Sequence, residues 1–492
     1  MENVKKLWAR AAELADLHHV MALMQWDQEV MLPKGGAAER AQQFATMSAV
    51  VHRKAVDPAL GELLAEAEAI GDRLSTVERA LVRKMRRDYD QSTKLPESFV
   101  VELAALTSQA LPVWVEARRD DDFASFAPLL ARLVEMNRRE ADYLGYAAEP
   151  YDALLDLYEE GLTAVEVRAC FSALLEPLRT LLAGVAPGGT LALAAPFEVE
   201  EQVRFADRLL ALIGFDFARG RQDRSAHPFS TGLGASDQRV TNRYRPDSIE
   251  FIFSALHEGG HALYEQNIGA DLARTPLAAG VSLGIHESQS RLWENVIGRS
   301  RPFWQHCYPL LREAFPAQFG GLSLDDFLVT VNGVRPGLIR VEADELSYNL
   351  HVLIRFELEK ALLDGELAVA DLPAAWNERY RDYLGVAVPS DADGVLQDIH
   401  WAHGSFGYFP TYTIGNLAAA QIWHAYRRFD PEWEATLARG DFAAVRKWLA
   451  ANIHCHGSVY PPRELLLRVT GEALNPRYFL AYLKEKFGPA AC

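Results

Sequence analysis

Two histidines and a glutamate stand in a pattern that suits a metal ion and a catalytic base. The stretch from Ser254 to Tyr264 contains His257-Glu258-Gly259-Gly260-His261. Side chains four residues apart lie on one face of a helix, so both imidazoles could bind one zinc ion. Glu258 would then stand beside the metal as a general base. The alternative is a polar helical turn with two structurally satisfied histidines.

Apolar residues flank this motif and predict a buried helix. Phe251–Phe253, Ala255 and Leu256 precede it, and Ala262 and Leu263 follow it. The two glycines between the histidines each lower helix propensity by about 1 kcal/mol relative to alanine. That cost is tolerable where a substrate strand or the backbone of a ligand-bearing helix must approach closely.

A hydrolytic zinc site needs three protein ligands and one open position, so a third ligand is required. Glu287 is the best candidate, 26 residues after His261. That distance leaves room for the first helix to end, for a turn at residues 276–280, and for a second helix that begins near Glu287. His286 is the alternative, which would give a three-histidine site. A capping or surface role for Glu287 also stays open.

The motif implies hydrolysis of a carbonyl compound. A zinc ion lowers the pKa of bound water and polarises a carbonyl group. Glu258 would take the water's proton and pass it to a leaving amine. The tetrahedral oxyanion needs a further donor, for which tyrosines and histidines later in the chain are candidates that spacing alone does not rank.

Two later stretches are dense in residues that could be functional. The segment 338–351 is predicted to be a charged helix, in which Arg340 and Asp344 are either functional or a surface pair worth a few tenths of a kcal/mol. The segments 394–404 and 406–416 combine glycine, aromatic residues, histidine and aspartate. That composition is typical either of a functional site or of a tightly packed aromatic corner.

Helical periodicity dominates the elements that must position these residues. Bounded by Pro, Gly, Asp or Ser, the first predicted helices cover 3–24, 37–53, 58–70, 75–93, 96–117 and 123–144. Further helices are predicted over 163–213, with an interruption at Pro187-Gly188-Gly189, and from Ile249 to the end.

Residues 215–248 are polar and lack helical periodicity, which favours a few strands or a functional loop. Within them Asp237–Tyr244 alternates like a strand, with Asp237, Arg239, Thr241 and Arg243 on one face. We therefore expect one mainly α-helical domain over residues 1–492, with a small antiparallel sheet beside the His257–His261 helix.

Composition excludes several classes of protein. The chain has 492 residues, 49% of them apolar, and a net charge of −17, which argues against nucleic acid as a partner. Its four cysteines (Cys170, Cys307, Cys455 and Cys492) form no CxxC pair, so a reducing cytoplasm is expected. The first residues lack the apolar core of a secretory signal, and no stretch approaches about 20 uninterrupted apolar residues.

The motifs taken together are identified with a known family. They follow one another over about 390 residues, in this order: Trp26-Asp27 with Pro33-Lys34-Gly35-Gly36, Tyr151 to Asp156, His227-Pro228-Phe229, Asp237-x-Arg239-x-Thr241, His257 to His261, His286-Glu287-Ser288-Gln289, Ile339-Arg340-x-x-Ala343-Asp344, Gly394-x-x-Gln397-Asp398-x-His400-Trp401 and Gly407 to Asn416. In this combination the chain resembles the carboxypeptidase Taq family of metallocarboxypeptidases, with no departure at a motif position.

The resemblance implies a mainly helical peptidase with a deep cleft, similar to neurolysin and the angiotensin-converting enzymes. It implies a homodimer that removes C-terminal residues one at a time with broad specificity, disfavouring proline. Zinc is the expected metal and cobalt the alternative. The N-terminal helices, about residues 1–115, are expected to form a lid that excludes folded proteins.

The resemblance also implies roles for individual residues. By position, His257, His261 and Glu287 match the metal ligands, and Glu258 matches the general base. Other matching positions are expected to handle the substrate: Arg239 and Arg340 at its C-terminal end, His400 and Tyr412 at the scissile carbonyl or its oxyanion, and His227, Asp237 and Gln397 as further substrate-binding residues.

The residues themselves agree with an exopeptidase in one respect. An exopeptidase must bind a free carboxylate at a fixed distance from the metal, and the planar fork of an arginine suits that group. The strand Asp237–Thr241 could also align an extended peptide by edge pairing. The alternatives are a zinc endo-oligopeptidase with an open-ended cleft and a non-catalytic peptide-binding protein.

Overall fold

The chain folds into two compact units. The computed structural model describes residues 2–186, 188 and 196–488. Unit 1 comprises Met1–Thr93, Leu191–Leu328 and Ile422–Ala473, and unit 2 comprises Lys94–Thr190, Val329–Gln421 and Leu474–Cys492. The predicted interruption at Pro187-Gly188-Gly189 lies outside the described residues, apart from Gly188, and so does Cys492.

The fold is mainly α-helical, as predicted. The α-helices are α1 (Glu2–Val30), α2 (Ala37–Ala55), α3 (Pro58–Glu68), α4 (Thr76–Lys94), α5 (Glu97–Asp120), α6 (Phe123–Leu144), α7 (Pro150–Asp156), α8 (Ala164–Gly184), α9 (Val199–Ile213), α10 (Glu250–Gln266), α11 (Leu283–Arg291), α12 (Arg301–Ala314), α13 (Pro316–Phe319), α14 (Leu324–Val331), α15 (Tyr348–Asp364), α16 (Leu372–Leu384), α17 (Pro410–Phe429), α18 (Trp433–Ala438), α19 (Phe442–Asn452), α20 (Pro462–Thr470) and α21 (Arg477–Phe487). A π-helical segment, Leu292–Ile297, continues α11.

Local sequence explains where several helices begin. The side chain of Asp57 accepts a hydrogen bond from the N–H of Ala59 at the start of α3, and proline occupies the first helical position. Thr163 and Glu166 form a capping box at the start of α8, in which each side chain bonds the other residue's backbone. These caps satisfy backbone donors that a helix leaves open at its first turn.

Residues 215–248 carry a three-stranded sheet beside α10. The strands are β1 (Gly220–Arg224), β2 (Ser230–Gly232) and β3 (Gln238–Asn242), in the order β1-β3-β2. The β2–β3 pair is antiparallel as expected, whereas β1 runs parallel to β3, so the sheet is mixed. Strands β3 and β2 both pack against α10, which places the sheet next to the motif helix.

Each unit has its own apolar core. In unit 1, buried side chains of α1, α3 and α4 pack together with Leu272 and Leu277. In unit 2, the core joins α5 to α8 with α15, α16, α17 and α21, and its largest members include Trp376 and Tyr151. Burial of this apolar surface is the main force that holds each unit together.

The predicted helix over 338–351 is wrong in its first half. Residues 340–342 form one 3-10 turn, and α15 begins only at Tyr348. The carboxylate of Asp344 accepts hydrogen bonds from the N–H groups of Leu346 and Ser347 and from the Ser347 hydroxyl. Such local side-chain bonds compete with the helical hydrogen-bond ladder, so the chain turns before the helix starts.

Among the described residues, α5 is the one helix that is long and apolar enough to cross a membrane, judged by length and composition. Only 22% of its most apolar window is buried inside the structure. A single helix of this kind is weak evidence for a membrane span.

Candidate active site

The two motif histidines lie on α10, a helix that is buried along most of its length. The backbone of a neighbouring helix approaches so closely that no Cβ atom fits at Gly260. A Cβ atom on Gly260 would lie 2.6 Å from the carbonyl oxygen of Gln289 and 2.7 Å from the Cα of Ser290, both on α11. A Cβ on Gly259 would lie 2.7 Å from a methyl carbon of Leu210. The approach of a second helix backbone, one of the two expected reasons for the glycines, is therefore present at Gly260.

Three side chains in unit 1 form a group able to hold a metal ion. One ligand atom from each of His257, His261 and Glu287 lies within 4.8 Å of the others. The Glu287 Oε2 atom is 3.6 Å from Nε2 of His257 and 3.4 Å from Nε2 of His261. Two imidazole nitrogens and one carboxylate oxygen are the donor set of many hydrolytic zinc sites, so these residues fit a divalent metal.

In each of the two histidines, a second residue contacts Nδ1, the ring nitrogen that does not face Glu287. Nδ1 of His257 lies 2.8 Å from Oε2 of Glu294, which belongs to the π-helical segment. Nδ1 of His261 lies 2.5 Å from Nδ1 of His286, whose Nε2 lies 2.9 Å from Oε1 of Glu265. Such partners fix the tautomer and the orientation of a metal-binding imidazole. His286, the alternative ligand, thus stands behind His261 with both ring nitrogens engaged.

Glu287 is fixed in place as an ionised group. Arg291 donates from Nε to Oε1 of Glu287 at 2.6 Å, and the Ser290 hydroxyl donates to Oε2 at 3.0 Å. Burial alone would raise the pKa of Glu287, but Arg291 and the two histidines outweigh it and hold the pKa well below its ordinary value. The carboxylate is therefore charged, as a metal ligand must be.

Burial shifts the other titrating groups of the site. It raises the pKa of Glu258 to about 7, and neighbouring Glu287 adds to that effect. It lowers the pKa of His261 to about 3. At His257, burial is outweighed by Glu287 and Glu294, which raise the pKa to about 9. A metal ion between His257 and Glu287 would replace that proton, and Glu258 near neutral pKa suits a general base.

Three of the predicted substrate residues lie on the sheet or in the connections between its strands. Arg239 donates from Nε and Nη2 to the two carboxylate oxygens of Asp237, at 2.7 and 2.9 Å. Its guanidinium carbon also lies 4.4 Å from the ring centre of Trp26 on α1. Trp26, from another matching motif, therefore fixes Arg239. His227 is exposed in the connection between β1 and β2.

The expectation that the Asp237–Thr241 strand aligns a peptide by edge pairing is wrong. β3 is the central strand, bonded to β1 on one side and to β2 on the other. Both rows of backbone hydrogen-bonding groups along β3 are thus already occupied within the sheet. The predicted alternation is also imperfect, because Val240 and Thr241 are both buried.

The remaining predicted residues lie in unit 2, around a buried carboxylate. Asp398 accepts through Oδ1 from Nε and Nη2 of Arg340, at 3.0 and 2.8 Å. Its Oδ2 accepts from Nε of Arg355 at 2.6 Å. The Gln397 side chain accepts from the backbone N–H of Arg340 at 2.8 Å. Arg340 is therefore a buried member of an ionic cluster and makes no surface pair with Asp344.

His400 and Tyr412 lie together, 3.1 Å apart between Nε2 and the hydroxyl oxygen. The His400 ring lies against Phe409, with 4.4 Å between ring centres. Burial and the nearby Arg340 lower the pKa of His400 to about 3, so its imidazole is neutral. The pair offers uncharged hydrogen-bonding groups, and the guanidinium of Arg340 lies 4.7 Å from the Tyr412 ring centre.

The sequence analysis singled out residues 338–351 but missed that the polar face of α15 continues beyond them and supports this cluster. Tyr348, His351, Arg355 and Glu359 are all buried and stand three or four residues apart. Tyr348 accepts from Arg340, and Glu359 accepts from the indole N–H of Trp401 at 2.9 Å. Polar residues at helical spacing in an otherwise apolar helix were the available signal.

Comparison with known proteins places this site in context. A family model described as carboxypeptidase Taq (M32) metallopeptidase matches residues 6–487. Thermostable carboxypeptidase 1 of Thermus thermophilus is 46% identical over 504 residues, covering 99% of this chain and 98% of that protein. Carboxypeptidase 1 of Bacillus subtilis is 40% identical over 488 residues, covering 98% and 97%. The crystal structure of M32 carboxypeptidase from Deinococcus radiodurans R1 superimposes with a TM-score of 0.96 at 41% identity, covering 99% of both chains.

Proposed function

Because the chain belongs to the carboxypeptidase Taq (M32) metallopeptidase family and is a metal-dependent carboxypeptidase, we propose how its own residues carry out the reaction. The observation that carries the proposal is the His257, His261 and Glu287 donor set, with Glu258 beside it on α10. The alternative of an endo-oligopeptidase finds no support among the relatives.

His257, His261 and Glu287 hold the divalent metal, which we propose to be zinc, with cobalt as the alternative. When bound, the metal supplies a Lewis acid that acidifies water and polarises the scissile carbonyl. Glu258 accepts a proton from the attacking water and delivers it to the leaving amine. Glu294 and His286 keep the two ligand imidazoles oriented throughout.

Individual residues are assigned to substrate recognition as follows. Arg340 binds the substrate's C-terminal carboxylate, because it belongs to a buried cluster with more positive than negative charge. Arg239 is the second candidate, although Asp237 already occupies its Nε and Nη2 donors. His400 and Tyr412 donate hydrogen bonds to the scissile carbonyl or its oxyanion. Weaker candidates for substrate contacts are His227, Asp237 and Gln397.

The specificity, oligomeric state, cellular location and domain organisation of the protein are also proposals. We propose broad specificity for peptides with a free C-terminus, a homodimer and a cytoplasmic location. The lid over residues 1–115 and the single catalytic domain over 1–492 also stay predictions. Unit 1 contains residues 1–93 of that lid, and unit 2 contains the rest. A folded protein substrate cleaved as fast as a short peptide would contradict the lid.

The proposed function is tested with an N-blocked dipeptide and its C-terminal amide, each with and without a chelator. We expect release of the last amino acid from the free acid alone, loss of activity with chelator, and recovery with zinc or cobalt. Equal cleavage of acid and amide would contradict carboxylate recognition. Cleavage of neither by the metal-loaded protein would favour a peptide-binding role.

A further inference from the structure

The Arg340, Asp398 and Arg355 cluster has an unbalanced charge. One carboxylate is shared between two guanidinium groups, and the exposed fractions of the side chains are only 5% for Arg340, 8% for Asp398 and 0% for Arg355. A guanidinium group stays protonated in proteins. Burial would raise the pKa of Asp398, but the two neighbouring arginines outweigh it and hold that pKa well below its ordinary value. The three groups together therefore carry one excess positive charge.

The neighbouring histidines do not change this charge. Burial and the two arginines hold the pKa of His351 well below its ordinary value, and burial with Arg340 does the same for His400. The hydrogen bonds of the Tyr380 hydroxyl also indicate that His351 is neutral. Its hydroxyl accepts from Arg355 and from Gln397, so its own proton is donated to Nδ1 of His351 at 2.9 Å.

Glu359 is a buried carboxyl on the same face of α15, one turn beyond Arg355. Its oxygens accept hydrogen bonds from the Tyr151 hydroxyl, the Trp401 indole and the Gly407 N–H. Among the described residues none of its hydrogen bonds involves the two arginines. Burial raises the pKa of Glu359 to about 7, although Arg355 and these three donors oppose the rise, so the carboxyl is mostly protonated below that pH. Below pH 7 the excess charge is therefore not neutralised within the hydrogen-bonded cluster, and a buried unpaired charge is costly unless an anion joins it.

Arg340 has donors left for such an anion. A guanidinium carries five N–H donors. The Nε donor and one Nη2 donor bond Asp398, and one Nη1 donor bonds Tyr348 at 3.0 Å. One donor on each terminal nitrogen of Arg340 remains, which is enough for a two-point contact with a carboxylate.

We propose that Arg355 is a positioning residue for recognition of the substrate's C-terminal carboxylate. By binding the second oxygen of Asp398, it prevents that aspartate from neutralising Arg340, and the substrate carboxylate completes the charge balance. This inference rests on the proposed role of Arg340. Arg355 itself, bonded to Asp398, the His351 carbonyl and Tyr380, contacts no substrate.

Each substitution changes the net charge of the Arg340, Asp398 and Arg355 cluster by one unit. The wild-type cluster carries one excess positive charge, and Arg355→Met reduces this to zero. Asp398→Asn raises it to two, and the double variant returns to one. A purely structural role for these side chains predicts that the double variant is at least as impaired as either single variant. The charge argument predicts the opposite, because the second substitution restores the net charge.

The experiment measures kcat and KM for an N-blocked dipeptide with a free C-terminus in the metal-loaded enzyme. We expect Arg355→Met to raise KM at least ten-fold with kcat within three-fold, and Arg355→Lys to recover most of the loss. Adding Asp398→Asn to Arg355→Met should lower KM again by at least three-fold. A double variant with KM equal to or above that of Arg355→Met would overturn the proposal.

Arg340→Met separates this inference from the function on which it rests. If Arg340→Met leaves KM unchanged, the carboxylate role of Arg340 is wrong. If it raises KM while Arg355→Met does not, only the role of Arg355 is wrong. If the Arg355→Met variant does not fold, KM of the Asp398→Asn variant tests the proposal instead. A KM lowered at least three-fold supports the charge argument, and an unchanged or raised KM overturns it.

Discussion

Oε2 of Glu294 lies 2.8 Å from Nδ1 of His257, behind the nitrogen that faces Glu287. This contact fixes the imidazole with Nε2 directed at the metal position, and loss of such a partner commonly weakens metal affinity about 10- to 100-fold. We expect that loss for Glu294→Ala, measured by competition with a chromogenic chelator. Glu250→Ala, on an exposed side chain at the start of α10, is the control and should keep wild-type affinity.

The two candidates for the third ligand give a second prediction. Glu287→Ala removes a direct ligand and should abolish stoichiometric metal binding. His286→Ala removes only the partner of His261 Nδ1, so we expect a drop of about 10- to 100-fold with metal still bound at saturation. Metal content after dialysis against a defined free concentration distinguishes the two. Retention of metal by Glu287→Ala and its loss from His286→Ala would reverse the ligand assignment.

Glu258→Gln tests the general base and, with it, the non-catalytic alternative. The amide keeps the size of the side chain but does not accept the proton from water. Loss of general acid–base catalysis costs roughly 10²- to 10⁴-fold. We expect kcat to fall by that factor at unchanged metal content, measured on the same preparation. Wild-type turnover in this variant would exclude the mechanism proposed above.

Local spacing predicted that the two histidines of the candidate metal site share one helical face, because they are close in sequence. The two histidines stand four positions apart, and helical periodicity alone places them on one face of α10. Gly260 likewise signalled the close approach of a second helix. The mainly helical fold followed from the same periodicity, although α15 starts late because Asp344 bonds the backbone locally.

The cluster of Arg340, Asp398 and Arg355 in unit 2 could not be predicted from local spacing. Asp398 meets Arg340 across 58 residues and Arg355 across 43. Spacing along the chain carries no information about pairs this distant, and the part of α15 beyond residue 351 had no predicted role. The parallel pairing of β1 with β3 was missed for a related reason, because β2 intervenes in the sequence but lies on the far side of β3.

Gly260→Ala provides a prediction about packing. Its Cβ would lie within 3 Å of backbone atoms of Gln289 and Ser290, which move only together with α11. Overpacking of this kind typically costs about 1–3 kcal/mol, here as a lower free energy of unfolding in denaturant titration. Gly184→Ala at the end of α8, where no atom lies within 4 Å, should be neutral or slightly stabilising. Equal effects at both positions would show that helix propensity alone decides.

Glu140 on α6 makes the pH dependence of stability predictable. Burial raises its pKa from 4.5 to about 7. Between these values the folded protein holds a proton that the unfolded chain has released, so the contribution to stability falls as pH rises through that interval. The loss between pH 5 and pH 8 amounts to at most about 3 kcal/mol. Glu140→Gln carries no charge and should lose correspondingly less stability over the same range.

Denaturant titrations at both pH values measure the difference. Glu135→Gln removes an exposed carboxylate on the same helix and is expected to follow the wild type. If Glu140→Gln followed the wild type as well, Glu140 would be ionised in the folded protein at pH 5, and some other group would cause any loss seen at pH 8.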